Sequence, residues 1–160
     1  MWRKKVAGLA VGAVLVVAAT AYVFTAPYTR IAGVRIGGTM TPSPGDFTTA
    51  FKPGIGTIKT GGLPPFVVHV VLVPFKGGFI TATRPDGGYW AKRARIAPDG
   101  YVRRGDTTFA MKATEILGED RYPYLQAWGG PDLDRRLSGG VIVGVSEPLR
   151  DWEVFLWTPR

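Results

Sequence analysis

The stretch FVVHVVLVPFKGGFITATR, residues 66–84, decides the fold. Residues 66–75 are dense in β-branched side chains and almost entirely apolar, which is typical of a strand with both faces buried. The tripeptide KGG at 76–78 supplies a short turn, and a second β-rich run follows at 79–84. The sequence therefore predicts an antiparallel hairpin in the middle of a β domain.

The segments around this hairpin add short strands and a few short helices. The chain lacks regular alternation of strands and helices, so an antiparallel barrel is favoured over a parallel sheet. Further strands are predicted at 34–36, at 56–62, in a hairpin over 101–116 with its bend at Gly105-Asp106, at 139–147 and at 151–158. Helices are predicted at 46–51 with Asp46 as the cap, at 89–96, and at 119–128 with a break near Pro123.

The N-terminal part of the chain has a different character. Residues 6–26 form a run of 21 residues without charge, preceded by Arg3, Lys4 and Lys5. As a helix this run spans about 31 Å, close to the thickness of the hydrocarbon core of a bilayer. The basic cluster predicts that the N-terminus stays in the cytoplasm and that the rest of the chain lies outside the inner membrane.

A cleaved signal peptide is the alternative interpretation, because Ala19-Thr20-Ala21 is an A-x-A site that would leave Tyr22 first. The uncleaved anchor is favoured, since the apolar run continues beyond that site. The predicted organisation is a basic tail at 1–5, a transmembrane helix at 6–26, a stalk at 27–46 and an extracytoplasmic domain at 47–160. The fold class is mainly β: a transmembrane helix followed by an antiparallel split β-barrel with one or two short helices.

Several kinds of chemistry are disfavoured by the residues that are missing. The chain has no cysteine and one histidine, His69, so zinc sites and disulfides are not expected. His69 lies in the most apolar predicted strand, where a hydrogen-bonded core or interface histidine is the usual interpretation. No P-loop and no G-x-S-x-G motif are present. The residues therefore indicate no acid, base or nucleophile.

Positive charge is concentrated in one part of the outer segment. The chain carries a net charge of +8, and residues 76–112 hold eight Lys or Arg against three Asp. Within this window TATRPDGGYWAKRAR, residues 81–95, combines a glycine turn with four cations and two aromatic residues. Nucleic acid is not expected outside the membrane, whereas anionic lipid headgroups are an available partner.

A glycine pair after a strand allows the backbone to approach a ligand, and a helix that begins near Gly88 offers N–H groups to an anion. Arg84 can bind phosphate oxygens through two nitrogens, while Lys92, Arg93 and Arg95 add charge. Tyr89 and Trp90 can cover the face of a ring. From the residues alone two interpretations stay open: a solvated surface corner or an anion site.

The order of elements in TIKTGGLPPFVVHVVLVPFKGGFITATRPDGGYWAKRAR, followed by GYVRRGDTTFAMKATEI, resembles the pyridoxamine-phosphate-oxidase-like split β-barrels that bind FMN or deazaflavin. The match covers roughly residues 55–117. The resemblance implies a cofactor site at Thr83, Arg84, Lys92 and Arg93, and the glycine turn adds the backbone near Gly87 and Gly88 to the predicted pocket. It also implies a homodimer with the cofactor at the interface, although some branches bind haem or no cofactor. Tyr89 and Trp90 stand where the family often has a cation that binds the phosphate.

Two functions follow from this resemblance. The first is a membrane-anchored branch of that group, whose outer domain binds a flavin-like phosphate-bearing cofactor such as FMN or deazaflavin and acts as an oxidoreductase. The alternative is a non-catalytic binding or structural domain on the same fold, without cofactor, that contacts anionic lipid headgroups or a protein partner. The sequence names neither a substrate nor an electron donor.

Overall fold

The computed structural model describes residues 2–25, 35–63, 66–85, 88–137 and 147–160. Its helices are α1 (Trp2–Thr25), α2 (Phe47–Ala50), α3 (Tyr89–Ile96) and α4 (Tyr122–Gly129). Its strands are β1 (Thr39–Met40), β2 (Gly54–Thr60), β3 (Phe66–Phe75), β4 (Gly78–Thr83), β5 (Asp99–Arg104), β6 (Thr107–Ile116), β7 (Arg136–Leu137), β8 (Glu147–Pro148) and β9 (Glu153–Pro159).

Six of these strands form a closed antiparallel barrel. Their order is β6-β5-β2-β3-β4-β9, and β9 also pairs with β6, which closes the ring. The short β1 adds to β6 in parallel, outside the ring. The predicted antiparallel barrel is confirmed at this level. The two predicted hairpins are also confirmed, as β3–β4 and β5–β6.

Alternation along β3 divides the strand between two environments. Phe66, Val68, Val70 and Leu72 pack in the barrel interior, as expected for residues spaced by two along a strand. On the other face, Val73 and Phe75 pack in a second core, but Val71 is 42% exposed. On this second face the expected burial therefore holds at Val67 and Val73 but fails at Val71.

Aromatic side chains fill the barrel and close its ends. The single turn of α2 inserts Phe47, whose ring centroid lies 4.9 Å from that of Phe79. Helix α3 inserts Trp90, 5.1 Å from Phe155. Asp46 caps α2 as predicted, accepting a hydrogen bond of 2.8 Å from the Thr48 backbone N–H. Both helices thus complete the core rather than lying on the surface.

A second core lies outside the barrel, between α4 and the outer face of β3, β4 and β9. Leu125 of α4 is fully buried there with Ile80 and Val154. The expected break near Pro123 is not found within α4. Pro123 lies in the first turn of this helix, where its missing N–H would have no intrahelical partner. A 3-10 turn, Gly118–Arg121, precedes it.

Two further strand predictions have different outcomes. Arg35 and Ile36 are not in a strand, and the chain instead pairs with β6 slightly later, at β1. The predicted strand at 139–147 lies outside the described residues except for Glu147, which belongs to β8.

Helix α1 covers most of the apolar run predicted to cross a membrane, and the side chains of residues 7–21 are exposed. Within the ranges that the structure describes, however, no helix is both long and apolar enough to span a bilayer. The transmembrane helix predicted over 6–26 is therefore not found there. The compartment and the orientation of the chain stay predictions.

Neighbouring glycines in the β3–β4 hairpin allow a test of barrel closure. A side chain at Gly78 would collide with the backbone carbonyl oxygen of Trp157, whereas a Cβ at Gly77 would meet nothing within 4 Å. We expect Gly78→Ala to lower the free energy of unfolding by about 3 kcal/mol, because β4 must move away from β9. Gly77→Ala should change it by less than about 0.5 kcal/mol. Urea unfolding that shows equal effects of the two substitutions would contradict the described closure.

Candidate functional site

Helix α3 separates the side chains of the predicted anion site into two sets. Trp90, Ala91 and Ala94 face the core, and Trp90 is 7% exposed. Tyr89, Lys92 and Arg93 lie on the opposite face, as positions three and four residues apart do on a helix. Trp90 is therefore part of the core and cannot cover a ligand, whereas Tyr89 is 60% exposed and can.

The start of α3 is held against the end of β4. Gly88 is the cap residue, and its carbonyl accepts hydrogen bonds from the N–H groups of Ala91 and Lys92 at 3.0 and 3.2 Å. A Cβ at Gly88 would lie 3.0 Å from Thr83 Oγ1 and 3.2 Å from the Ala91 Cβ. The absence of a side chain thus brings the strand end and the helix start together. Of the predicted residues, Thr83 and Gly88 are adjacent.

Arg93 has the most unusual environment of the predicted cations. Its Nε and Nη2 atoms are buried and have no hydrogen-bond partner within the described structure. Its guanidinium carbon lies 5.8 Å from the centre of the Tyr89 ring and would be 3.6 Å from a Cβ at Gly62. Buried guanidinium nitrogens without a hydrogen-bond partner are unfavourable, so an anion or ordered water is expected beside them.

Two residues near Arg93 were not predicted. Gly62, with a φ of +84°, belongs to the turn after β2, and Phe66 begins β3. The rings of Phe66 and Tyr89 lie 4.7 Å apart. The glycine turn in KTGG was visible in the sequence, but its position beside α3 depends on barrel closure. Gly62, Phe66, Tyr89 and Arg93 together are termed the Arg93 site.

Arg95 does not belong to this site, although the sequence suggested that it adds charge to it. Its Nε donates to Glu115 Oε2 at 2.7 Å, and its Nη2 pairs with Glu115 Oε1 and, at 3.0 Å, with Glu153 Oε1. The hydrogen bond to Glu115 is the largest cause of a raised pKa of Arg95, and Glu153 raises this pKa further. The guanidinium instead ties α3 to β6 and β9.

The remaining predicted residues are placed as follows. Arg84 directly follows β4 and is half-buried, and among the described residues no carboxylate pairs with it. Lys92 is exposed on the same face of α3 as Tyr89. Gly87 lies outside the described residues. A pocket shared by Arg84, Lys92 and Arg93 stays a prediction.

A second candidate site lies on the outer face of the barrel and includes the histidine. A cleft of about 430 Å³ is lined by Ile55, Gly56, Thr57, His69, Arg103 and Gly105, here termed the β2–β5 cleft. Thr57 Oγ1 lies 3.3 Å from His69 Nδ1. Burial lowers the pKa of His69, and the charge of Arg103 lowers it further, while a hydrogen bond to the Gly56 backbone opposes both.

His69 is thus hydrogen-bonded, as one interpretation expected, but it lies on the outer face of β3 instead of in the core. Period-two alternation along the strand separates it from the interior residues Val68 and Val70. This alternation was the available signal. The neighbours of His69 come from other strands and could not be read from the sequence.

Comparisons with known proteins add no assignment: neither a protein-family model nor a curated protein matches the chain. The structure shows a closed antiparallel barrel, which is compatible with the fold class that the resemblance implied.

The contrast between Arg93 and Arg95 gives a stability test. We expect Arg95→Met to lower the free energy of unfolding by about 1 kcal/mol, because two glutamates lose a partly exposed partner. Arg93→Met should leave it unchanged or raise it by up to about 1 kcal/mol, since burying a cation without a partner is unfavourable. Thermal and urea unfolding of the two variants measure the difference. A larger loss for Arg93→Met than for Arg95→Met would identify Arg93 as a structural residue.

Proposed function

We propose that the barrel binds a phosphate-bearing ring cofactor of the flavin or deazaflavin class at the Arg93 site. The observation that carries this proposal is the guanidinium of Arg93, which is buried at two nitrogens without a partner in the described structure. Buried polar groups in proteins nearly always have a partner, so such a group indicates a ligand or water beside it. An anion satisfies both its charge and its donors.

The surroundings of Arg93 suit an anion more than a neutral ligand. Arg93 belongs to the last turn of α3, but its guanidinium carbon lies 5.8 Å from the centre of the Tyr89 ring at the start of the helix, where N–H groups favour negative charge. Arg95, the competing cation on this helix, is already paired with Glu115 and Glu153. Of the two arginines of α3, Arg93 is therefore the one with buried nitrogens that lack a partner in the described structure.

Aromatic and apolar side chains beside Arg93 support a ring on the same ligand. Tyr89 is largely exposed and contacts Phe66, so its ring can lie against a flat heterocycle. Gly62 has no side chain to block the approach to Arg93. A ring with a phosphate group attached matches this pairing of an aromatic surface with a buried cation.

When such a cofactor is bound, it supplies the redox chemistry, and the chain supplies binding and orientation. In this proposal Arg93 binds the phosphate, Thr83 and Gly88 fix the start of α3, and Tyr89 orients the ring. Arg84 and Lys92 add positive charge at the entrance. None of these residues is assigned a proton-transfer step.

The alternative is a contact surface for anionic lipid headgroups without a cofactor. Exposed apolar side chains beside the cations favour it: Leu63 is 91% exposed and Ile96 is 84% exposed. Cations next to apolar side chains are typical of surfaces that bind at a lipid headgroup layer. The two functions differ in the residue they require, because a headgroup surface uses the exposed Lys92 and has no need of the buried nitrogens of Arg93.

Titration calorimetry with FMN, repeated at two salt concentrations, distinguishes the two functions. Arg93→Gln should weaken FMN binding by roughly 1.5–3 kcal/mol, as expected for a lost charge-assisted hydrogen bond, and Arg84→Ala should have an effect of the same kind. Arg95→Gln is the comparison on the same helix: it removes a cation that already pairs with Glu115 and Glu153, so it should weaken binding much less than Arg93→Gln.

No binding of FMN, deazaflavin or haem by the unmodified protein would contradict the cofactor function. A headgroup surface predicts instead that vesicles with anionic lipid bind, that each cation contributes about 1 kcal/mol, and that binding weakens strongly with salt. Lys92→Gln would then have a larger effect than Arg93→Gln.

A further inference from the structure

The β2–β5 cleft opens where two neighbouring strands separate. Strand β2 pairs with β3 along its whole length, from Gly54 to Thr60, but with β5 only from Thr57 to Thr60. The first part of β2, before Thr57, pairs with β3 alone, because β5 ends there and the chain turns at Gly105 into β6. The gap is the cleft of about 430 Å³. It lies at the opposite end of β2 from the Arg93 site, so the two sites are independent.

Strand register brings three polar side chains into one row across this cleft. Thr57 pairs with His69 on one side and with Arg103 on the other. Directly opposed residues in a sheet place their side chains on the same face, with Cβ atoms about 5 Å apart. A hydroxyl, an imidazole and a guanidinium therefore face the same volume.

Arg103 is held in place by backbone acceptors that leave its charge largely uncompensated. Its Nε donates to the Gly105 carbonyl at 2.7 Å, and its Nη1 donates to the Ile36 carbonyl at 3.0 Å. The nearest carboxylate, that of Asp106, is 3.6 Å from Nη2 and fully exposed. Such an exposed pair is weak. The guanidinium is thus oriented before any ligand arrives, which favours binding.

The lining of the cleft selects for the chemistry of a ligand. No acidic residue is among the described residues that line it, whereas Arg103 carries a charge and Thr57 a hydroxyl donor. Ile55, 69% exposed, adds an apolar wall. A volume of this size lies within the roughly 300–1,000 Å³ of small-molecule sites. A negative group joined to a compact apolar group satisfies every part of this lining.

We propose that the β2–β5 cleft binds a small organic acid, with its carboxylate between Arg103 and His69 and its apolar part against Ile55. In this arrangement Arg103 and the Thr57 hydroxyl donate hydrogen bonds to the carboxylate. A monoanion suits the cleft because one fixed guanidinium is its only charged lining group among the described residues.

The pKa of His69 depends on whether a carboxylate is bound in the cleft. In the ligand-free protein burial and the charge of Arg103 lower the pKa of His69. The charged groups that face it are Arg103 of β5, with Asp106 of the following turn behind it, and Lys59 of β2, two residues from Thr57 on the same face. A carboxylate beside the imidazole favours its protonated form, so binding raises the pKa of His69 and takes up a proton.

The experiment is an NMR titration of the full chain with benzoate, whose carboxylate is joined to a compact ring. The chain has one histidine, so the ring signals of a histidine belong to His69 without further assignment. Saturating benzoate should raise the pKa of His69, whereas benzamide, a neutral molecule of the same shape, should not. A pKa that is unchanged by benzoate, or raised equally by benzamide, would overturn the proposal.

Substitutions locate the binding groups. Arg103→Gln should weaken benzoate binding roughly tenfold, as the loss of a charge-assisted hydrogen bond does. Lys59→Gln, which removes the same charge from the same face of β2, should weaken it less than about twofold. Equal effects of the two substitutions would show a diffuse charge effect and no site. Thr57→Val keeps the shape of the side chain and should weaken binding even if Arg103→Gln does not fold.

Discussion

The structure depends on β9, which pairs with β4 on one side and with β6 on the other. Without it the other five barrel strands form an open sheet. The seam is tight because Trp157 is fully buried and donates a hydrogen bond of 3.0 Å to Thr81 Oγ1, itself fully buried. Such a buried polar pair is favourable only when both groups meet. Gly78 of β4 allows the close approach of its strand to the Trp157 backbone, and Gly100 of β5, which does not pair with β9, leaves room for the Trp157 ring.

The geometry of the Arg93 site also depends on the pairing of β9 with β4 and β6. Arg95 holds α3 to Glu115 of β6 and Glu153 of β9, which lie on the two strands that complete the ring. Trp90 packs against Phe155 of β9 below the helix. A helix fixed at its inner face by Trp90 and at its end by Arg95 presents the outer face with little freedom. The position of Arg93 beside Gly62 is therefore a consequence of barrel closure, although neither residue belongs to β9.

Much of the fold could be predicted from the sequence because its signals are local. The β-branched apolar runs, the turns at KGG and Gly105-Asp106 and the Asp46 cap each act within a few residues, and the hairpins and α2 were predicted from them. The roles of the cations could not be predicted in this way. Arg93 and Arg95 are two residues apart and chemically identical, but they point about 160° apart around a helix. Which of them meets a carboxylate depends on Glu115, 20 residues away. The β2–β5 cleft depends likewise on register between three strands, and of its lining residues the sequence singled out only His69 and the bend at Gly105.

Closure by a distant strand has a consequence for how the chain folds. The β3–β4 and β5–β6 hairpins join residues that are close in sequence, whereas β9 pairs with a strand far away in the chain, as Phe155 does with Thr81. Pairing over such separations is slow, because the entropy of closing the intervening loop is lost before the contacts form. Until β9 arrives, β4 and β6 are unprotected edges with apolar residues on both faces, and edges of that kind pair with other chains. The same hydrogen-bonding register that closes the barrel within one chain would also accept β9 from a second copy, so strand exchange competes with closure during folding at high concentration.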